Sequence, residues 1–324
     1  MPNIDMPLSK LKTYKSTSPK PADFDVFWLR AMDEVKSTQA AVEIRSAAFE
    51  LKGFECSDLY FTGVQNGRIH AKLIRPANQN KLPIALHFHG YTGRAGDWIE
   101  YIPFAAAGFC VFAMDCRGQG GMSTDSGGTS GNTQRGHIIR GLDDGPEKLL
   151  YRQIFLDTVQ LAAVAMELDF TDETRICAYG ASQGGALTLA CAALVPQVSL
   201  LASVYPFLCD YRRVWEMALP TAAYKELYEY FRMFDPLHKR EDEIFNTLGY
   251  IDVANLADKI KGETLFAISL NDDVCPPSTC FAAYNNIAAK KELFVYPDFS
   301  HEVLPGFYDI VLQKFQQTLA FPNS

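Results

Sequence analysis

The chain has no block of lysines and arginines interleaved with aromatics, and acidic residues outnumber basic ones 38 to 30. The formal charge of −8 argues against nucleic acid as a partner. No apolar run reaches the length of a membrane span. The opening residues, MPNIDMPLSKLKTYKS, lack the apolar core of a signal peptide. A cytoplasmic protein without a membrane partner is therefore expected. C-x-x-C spacing is also missing. Most of the eight cysteines (Cys56, Cys110, Cys116, Cys177, Cys191, Cys209, Cys275 and Cys280) sit in apolar runs, where a thiol behaves as a small hydrophobe. Neither a disulfide framework nor a zinc site is expected from them. No G-x-x-x-x-G-K-[ST] accompanies the glycines of Gly118–Gly145, which excludes a P-loop phosphate cradle. Internal repeats and low-complexity tracts are absent.

Hydrophobic residues make up 48% of the 324, enough for a large core. Length alone suggests about two domains, but α/β chains of this size often form one, and one domain over 1–324 is the expectation. Residues 1–20 read as an extended arm, and Asp23–Lys36 has a helical period with Phe24, Phe27, Trp28, Ala31 and Met32 on one face. Glu43–Glu50, Phe54–Val64 and Arg68–Ile74 read as antiparallel strands, with Gln65-Asn66-Gly67 as a hairpin turn. From Pro83 strands alternate with helices. The strands are Ile84–His89, Phe109–Met114, Arg175–Tyr179, Leu200–Tyr205, Thr264–Leu270 and Glu292–Tyr296; the helices are Trp98–Ala107, interrupted by Pro103, and Leu149–Leu168. This alternation predicts an α/β fold, a mainly parallel sheet with helices on both faces. Gly118–Gly145 reads as a long loop. Pro206–Leu256, helical, aromatic and charged, is too long for one crossover and reads as a helical insertion over the C-terminal edge of the sheet.

The chemistry centres on Arg175–Leu189. The strand Arg175–Tyr179 and a helix over Ala186–Ala193 flank Gly180-Ala181-Ser182-Gln183-Gly184, a G-x-S-x-G in the strand–turn–helix setting of a nucleophile elbow. A serine held out on a tight turn is strained, and neighbours without side chains relieve the crowding. The helix N-terminus behind it offers N–H groups to a developing oxyanion.

A serine hydroxyl needs a base, and the base needs a third group to hold its tautomer. Of six histidines, His301 lies just after the last strand, where the chain order Ser…Asp/Glu…His puts the base. The acid belongs at the end of Thr264–Leu270, where Asp272 and Asp273 both qualify. Adjacent extended residues point apart, so one of them reaches the histidine, and position alone does not decide which. A paired-carboxylate glycosidase site would need both to face one sugar bond. The oxyanion donors expected are the N–H of Gln183 and, from the loop His89-Gly90-Tyr91-Thr92-Gly93, the N–H of Tyr91.

With these residues stand Arg117-Gly118-Gln119-Gly120, Gly180-Ala181-Ser182-Gln183-Gly184-Gly185, His301-Glu302, Gly136-His137-Ile138-Ile139-Arg140-Gly141 and Asp272-Asp273-Val274-Cys275-Pro276-Pro277. In these motifs the chain resembles carbohydrate esterase family seven, the acetyl xylan esterase and cephalosporin C deacetylase group, from Phe27-Trp28 to the C-terminal helix. The resemblance implies the α/β-hydrolase fold, selects Asp272 over Asp273, and puts Tyr91 and Gln183 at the family's oxyanion positions. It implies acetylated xylo-oligosaccharides and cephalosporin C as substrates, no metal or organic cofactor, and a homohexamer. Arg117 and Gln119 take a structural role near the serine. The rival readings are a general short-chain esterase, a serine peptidase, for whose usual propeller the segment before Pro83 is too short, and a catalytically silent binding module.

Overall fold

The computed structural model describes residues 4–125, 133–218 and 224–320. Its strands are β1 (Glu43–Ser46), β2 (Phe54–Thr62), β3 (Arg68–Pro76), β4 (Leu82–Phe88), β5 (Cys110–Met114), β6 (Thr171–Ala181), β7 (Val198–Val204), β8 (Glu263–Ser269) and β9 (Lys291–Tyr296). They form one nine-stranded sheet in the order β1-β2-β3-β5-β4-β6-β7-β8-β9. The first three strands and the β3–β5 pair are antiparallel, and every later pair is parallel. The helices are α1 (Leu8–Leu11), α2 (Phe24–Ser37), α3 (Ile102–Ala106), α4 (Leu150–Glu167), α5 (Gln183–Leu194), α6 (Tyr211–Glu216), α7 (Lys225–Phe234), α8 (Glu241–Leu248), α9 (Val253–Leu256), α10 (Pro277–Asn286) and α11 (Phe307–Phe315). None of the described helices is long and apolar enough to cross a membrane.

The inner parts of the strands from β4 to β8 are buried and mainly apolar because helices cover both of their faces. All five residues of β5 are buried, as are six of the seven in β4. The outer β1 is exposed along its length. Chain order reverses at β4, which pairs with β5 on one side and β6 on the other. A crevice opens beyond the strand ends at such a switch point, and open α/β sheets bind ligands there.

Several boundaries differ from the expected ones. Trp98–Ala107 is not one helix: a 3-10 turn over Trp98–Glu100 precedes α3, and Pro103 stands in the first turn of α3, where its missing N–H has no intrahelical partner to lose. The strand expected over Glu43–Glu50 stops at Ser46. The arm expected to be extended contains α1. Gln65 and Asn66 take φ of 54° and 61°, the left-handed geometry of a tight hairpin turn. The expected insertion is the described part of α6–α9 with the 3-10 turn Gly249–Ile251; residues 219–223 lie outside the described residues. Of the Gly118–Gly145 loop, 126–132 do too.

Candidate active site

Strand β6 ends at Ala181 and α5 begins at Gln183, leaving Ser182 alone between them at φ 58°, ψ −121°. This left-handed backbone costs a non-glycine residue about 1–3 kcal/mol, and its surroundings hold it there. The Ser182 amide donates to the Val204 carbonyl, and the Ser182 carbonyl accepts from Phe207 and Ala186, each at 3.0 Å. The flanking glycines answer to the end of β4. A Cβ on Gly184 would lie 2.0 Å from the Phe88 carbonyl oxygen, and one on Gly180 2.6 Å from the same atom. Close approach of β4, the elbow and α5 therefore requires glycine at both positions.

The side chains singled out in sequence meet at this point. His301 Nε2 lies 3.1 Å from Ser182 Oγ, and its Nδ1 lies 2.8 Å from Asp272 Oδ2. Asp272 is fully buried, and its Oδ1 accepts the amides of Val274 at 2.9 Å and Cys275 at 2.8 Å. Its neighbour Asp273 is exposed. With Asp272 as acceptor, Nδ1 carries the imidazole proton and Nε2 faces the serine with a lone pair. Tyr91 follows β4 and Gln183 opens α5, so both proposed oxyanion donors flank the switch point. Ser182 and His301 open on a cavity of about 310 Å³ that His87, Arg94, Glu100, Tyr205 and Tyr308 also line.

Arg117 and Gln119 serve as braces. Arg117 is fully buried, pairs with Asp157 through Nε at 2.7 Å and Nη2 at 2.5 Å, and donates to Gln153 Oε1 and the Val64 carbonyl at 3.0 Å each. It ties the β2–β3 hairpin to α4. Gln119 Oε1 accepts the Thr92 amide at 2.9 Å, and its side-chain amide meets that of Gln183, whose Oε1 also accepts the Tyr151 hydroxyl at 2.7 Å. One buried glutamine thus joins the loop after β4 to the start of α5.

The remaining histidines have other occupations. His70 lies between Asp115, at 2.6 Å, and Asp58, at 2.9 Å. His89 accepts the Cys116 amide at 3.0 Å and donates to the Gly90 carbonyl at 2.7 Å, which shapes the loop carrying Tyr91. Burial pushes the pKa of His87 down to about 3, so it is a neutral ring among Tyr101 and Tyr179. His137 binds the Gly118 carbonyl at 3.0 Å, and His238 packs on Trp215 and Phe231. Among the described residues, no group of three or more His, Cys, Asp or Glu is placed to hold a metal ion.

Two residues at the site escaped the sequence reading. Tyr205 follows β7, its ring 4.6 Å from that of His301 and its hydroxyl 2.8 Å from the Glu302 carbonyl. Glu226, on α7, accepts the Tyr91 hydroxyl at 2.7 Å. The position of Tyr205 at a strand end was a usable signal. Glu226 sits in an amphipathic helix full of charged residues, and nothing local marks it.

A switch-point serine on a left-handed turn, linked through a histidine to a buried aspartate, defines the class as an α/β hydrolase. The acetyl xylan esterase (AXE1) family model matches residues 1–319, and the chain belongs to that family. It is similar to the crystal structure of acetyl xylan esterase 1 from Thermoanaerobacterium sp. JW/SL YS485, with 54% identity over 97% of this chain and 99% of that one and a TM-score of 0.93. The acetyl xylan esterase from Paenibacillus sp. R4 is 36% identical over 97% of this chain and 100% of that one, with a TM-score of 0.90. The acetyl esterase Axe7A of Xylanibacter ruminicola is 27% identical over 293 residues, 89% of this chain; the match spans 65% of that longer relative.

Proposed function

We propose that this chain is a serine esterase that removes acetyl groups from small esters through an acetyl-enzyme. The observation that carries the reading is the position of His301, bonded at once to Ser182 Oγ and Asp272. Ser182 Oγ attacks the ester carbonyl carbon while Nε2 of His301 takes its proton. The C=O electron pair moves onto oxygen, where the N–H groups of Tyr91 and Gln183 stabilise it. A donor of this kind is worth about 2.7–4 kcal/mol in the transition state. The C–O bond to the alcohol then breaks, and His301 returns the proton to that oxygen. Water repeats the sequence on the acetyl-serine and releases acetate. Asp272 keeps the proton on Nδ1 and stabilises the imidazolium.

The substrates implied by the resemblance are acetylated xylo-oligosaccharides and cephalosporin C. The names of the two similar esterases from Thermoanaerobacterium and Paenibacillus support the xylan side of that reading. A homohexamer in the cytoplasm belongs to the same proposal. Burst kinetics with p-nitrophenyl acetate test the mechanism. Ser182→Ala is expected to lose the burst and at least about 10³-fold in kcat; turnover equal to that of the unsubstituted enzyme overturns it.

A further inference from the structure

The helical insertion reaches the candidate site through Glu226, which is 1% exposed. Oε1 accepts the Tyr91 hydroxyl at 2.7 Å and Oε2 the Ile138 amide at 3.2 Å, while the amides of Ile139 and Gly136 also face the carboxylate. No ion pair joins it to a lysine or arginine among the described residues. Burial, opposed by the Tyr91 hydroxyl and these amides, raises its pKa to about 7. A buried carboxylate without a cation is costly unless its hydrogen bonds matter.

These bonds end on the one residue of the loop after β4 whose orientation the chemistry needs. Tyr91 stands between Gly90 and Thr92, itself at φ 59°. Its ring meets His137 edge-on at 5.0 Å and Phe207 at 5.5 Å. The next fixed point along the loop is the Thr92 amide on Gln119. The peptide unit that carries the Tyr91 N–H is held at its carbonyl end, where Gly90 O accepts from His89 Nδ1 at 2.7 Å and from the Gly93 amide at 3.1 Å, and the tyrosine side chain holds its other end.

We propose that Glu226 is a positioning residue for ester hydrolysis: through the Tyr91 hydroxyl it holds the tyrosine end of the peptide unit whose N–H faces the oxyanion, while the bonds to Gly90 O hold the carbonyl end. The assignment rests on the serine-esterase reading above. It makes the helical insertion part of the machinery that stabilises the transition state as well as a cover over the sheet edge.

The test is steady-state hydrolysis of p-nitrophenyl acetate by the full chain, its Tyr91→Phe and Glu226→Gln variants, the double variant and Ser182→Ala. Tyr91→Phe keeps the ring on His137 and Phe207 and keeps the backbone N–H, so the fold is not at stake. Its kcat is expected to fall about tenfold with KM within about twofold, the mark of a contribution made in the transition state. Glu226→Gln retains one acceptor oxygen and sets an amide donor against the Ile138 N–H, and about a tenfold to thirtyfold loss of kcat is expected. Because both changes break one link, the double variant should lose no more than about the larger single loss. Rates of the variants that keep Ser182 are normalised to active sites titrated with a fluorophosphonate, which removes any loss of folded enzyme, and the rate of Ser182→Ala is normalised to folded protein. Multiplying losses in the double variant, an unchanged kcat in Tyr91→Phe, or an effect confined to KM overturns the assignment of Glu226. If Ser182→Ala turns over like the unsubstituted enzyme, the serine-esterase reading fails first; if it is inactive and the losses multiply, only Glu226 loses its role.

Discussion

Asp157→Asn is the most informative perturbation of stability, because it removes one charge from a closed compartment without changing its shape. Arg117 and Asp157 are both fully buried and joined by two parallel hydrogen bonds. Water cannot replace the lost carboxylate. The β2–β3 hairpin presses on the guanidinium so closely that a Cβ on Gly67 would lie 2.6 Å from Arg117 Cζ and one on Gly63 2.7 Å from Nη2. Breaking a buried pair from one side costs about 3–5 kcal/mol. The Asp125 carboxylate, 4.0 Å from Nη1, remains as a partial counter-charge and favours the lower end. About 3 kcal/mol corresponds to a fall in Tm of roughly 6 °C at about 2 °C per kcal/mol for a chain of this size. The control is Arg117→Met with Asp157→Leu. It removes both charges and leaves the Val64 carbonyl and Gln153 Oε1 without the Arg117 donor, a loss of about 1–3 kcal/mol for each group, offset by the desolvation cost of the pair that the apolar residues remove, about 1–4 kcal/mol. The double variant should therefore be no less stable than Asp157→Asn alone. Urea unfolding followed by tryptophan fluorescence, with thermal scans beside it, measures both. An Asp157→Asn variant within about 0.5 kcal/mol of the unsubstituted protein, a loss typical of ordinary surface changes, would refute the reasoning.

Two further predictions concern other carboxylates. Asp272→Asn should lower kcat for p-nitrophenyl acetate by about 10⁴-fold through loss of the correct imidazole tautomer, whereas Asp273→Asn, at an exposed position, should stay within about twofold; equal losses would reverse the assignment. Asp252 is fully buried, and burial together with the nearby charge of Asp210 raises its pKa from 3.8 to about 7. Between about pH 4 and pH 7 the folded state thus holds a proton that the unfolded chain releases, so this contribution is complete below about pH 4 and is lost as pH rises through about 7. Asp252→Asn should flatten that part of the stability–pH curve measured by urea unfolding, and an unchanged slope would count against it.

What could be read from the chain follows the range of the interactions involved. Ser182 was legible because the strand, turn and helix that expose it are contiguous, and Gly180 and Gly184 mark the close approach. His301 was legible from chain order. The choice between Asp272 and Asp273 was not available from the residues themselves, since burial of one and exposure of the other is set by packing; the family resemblance supplied it. Pro103 carried the right warning, and its place in the first turn of α3 is the physical answer. Contacts between distant parts of the chain left no local trace. Tyr91 and Glu226 are 135 residues apart, and the pairing of His70 with Asp58 and Asp115 depends on β2, β3 and the end of β5 coming together.

The braces explain why a strained serine persists at the sheet edge. A left-handed Ser182 could relax if β4, the elbow and α5 moved apart. Gln119 opposes this by joining the Thr92 amide to the Gln183 side chain. Asp115 opposes it from the other end of the same loop, accepting the Ala95 amide at 2.6 Å and the Met122 amide at 2.9 Å while bonded to His70. Both braces come from the segment after β5, which Arg117 anchors to α4 and to the β2–β3 hairpin. The strain is therefore held by buried polar contacts spread over separate elements, so loosening any one of them should disturb the direction of the oxyanion donors before it disturbs the fold.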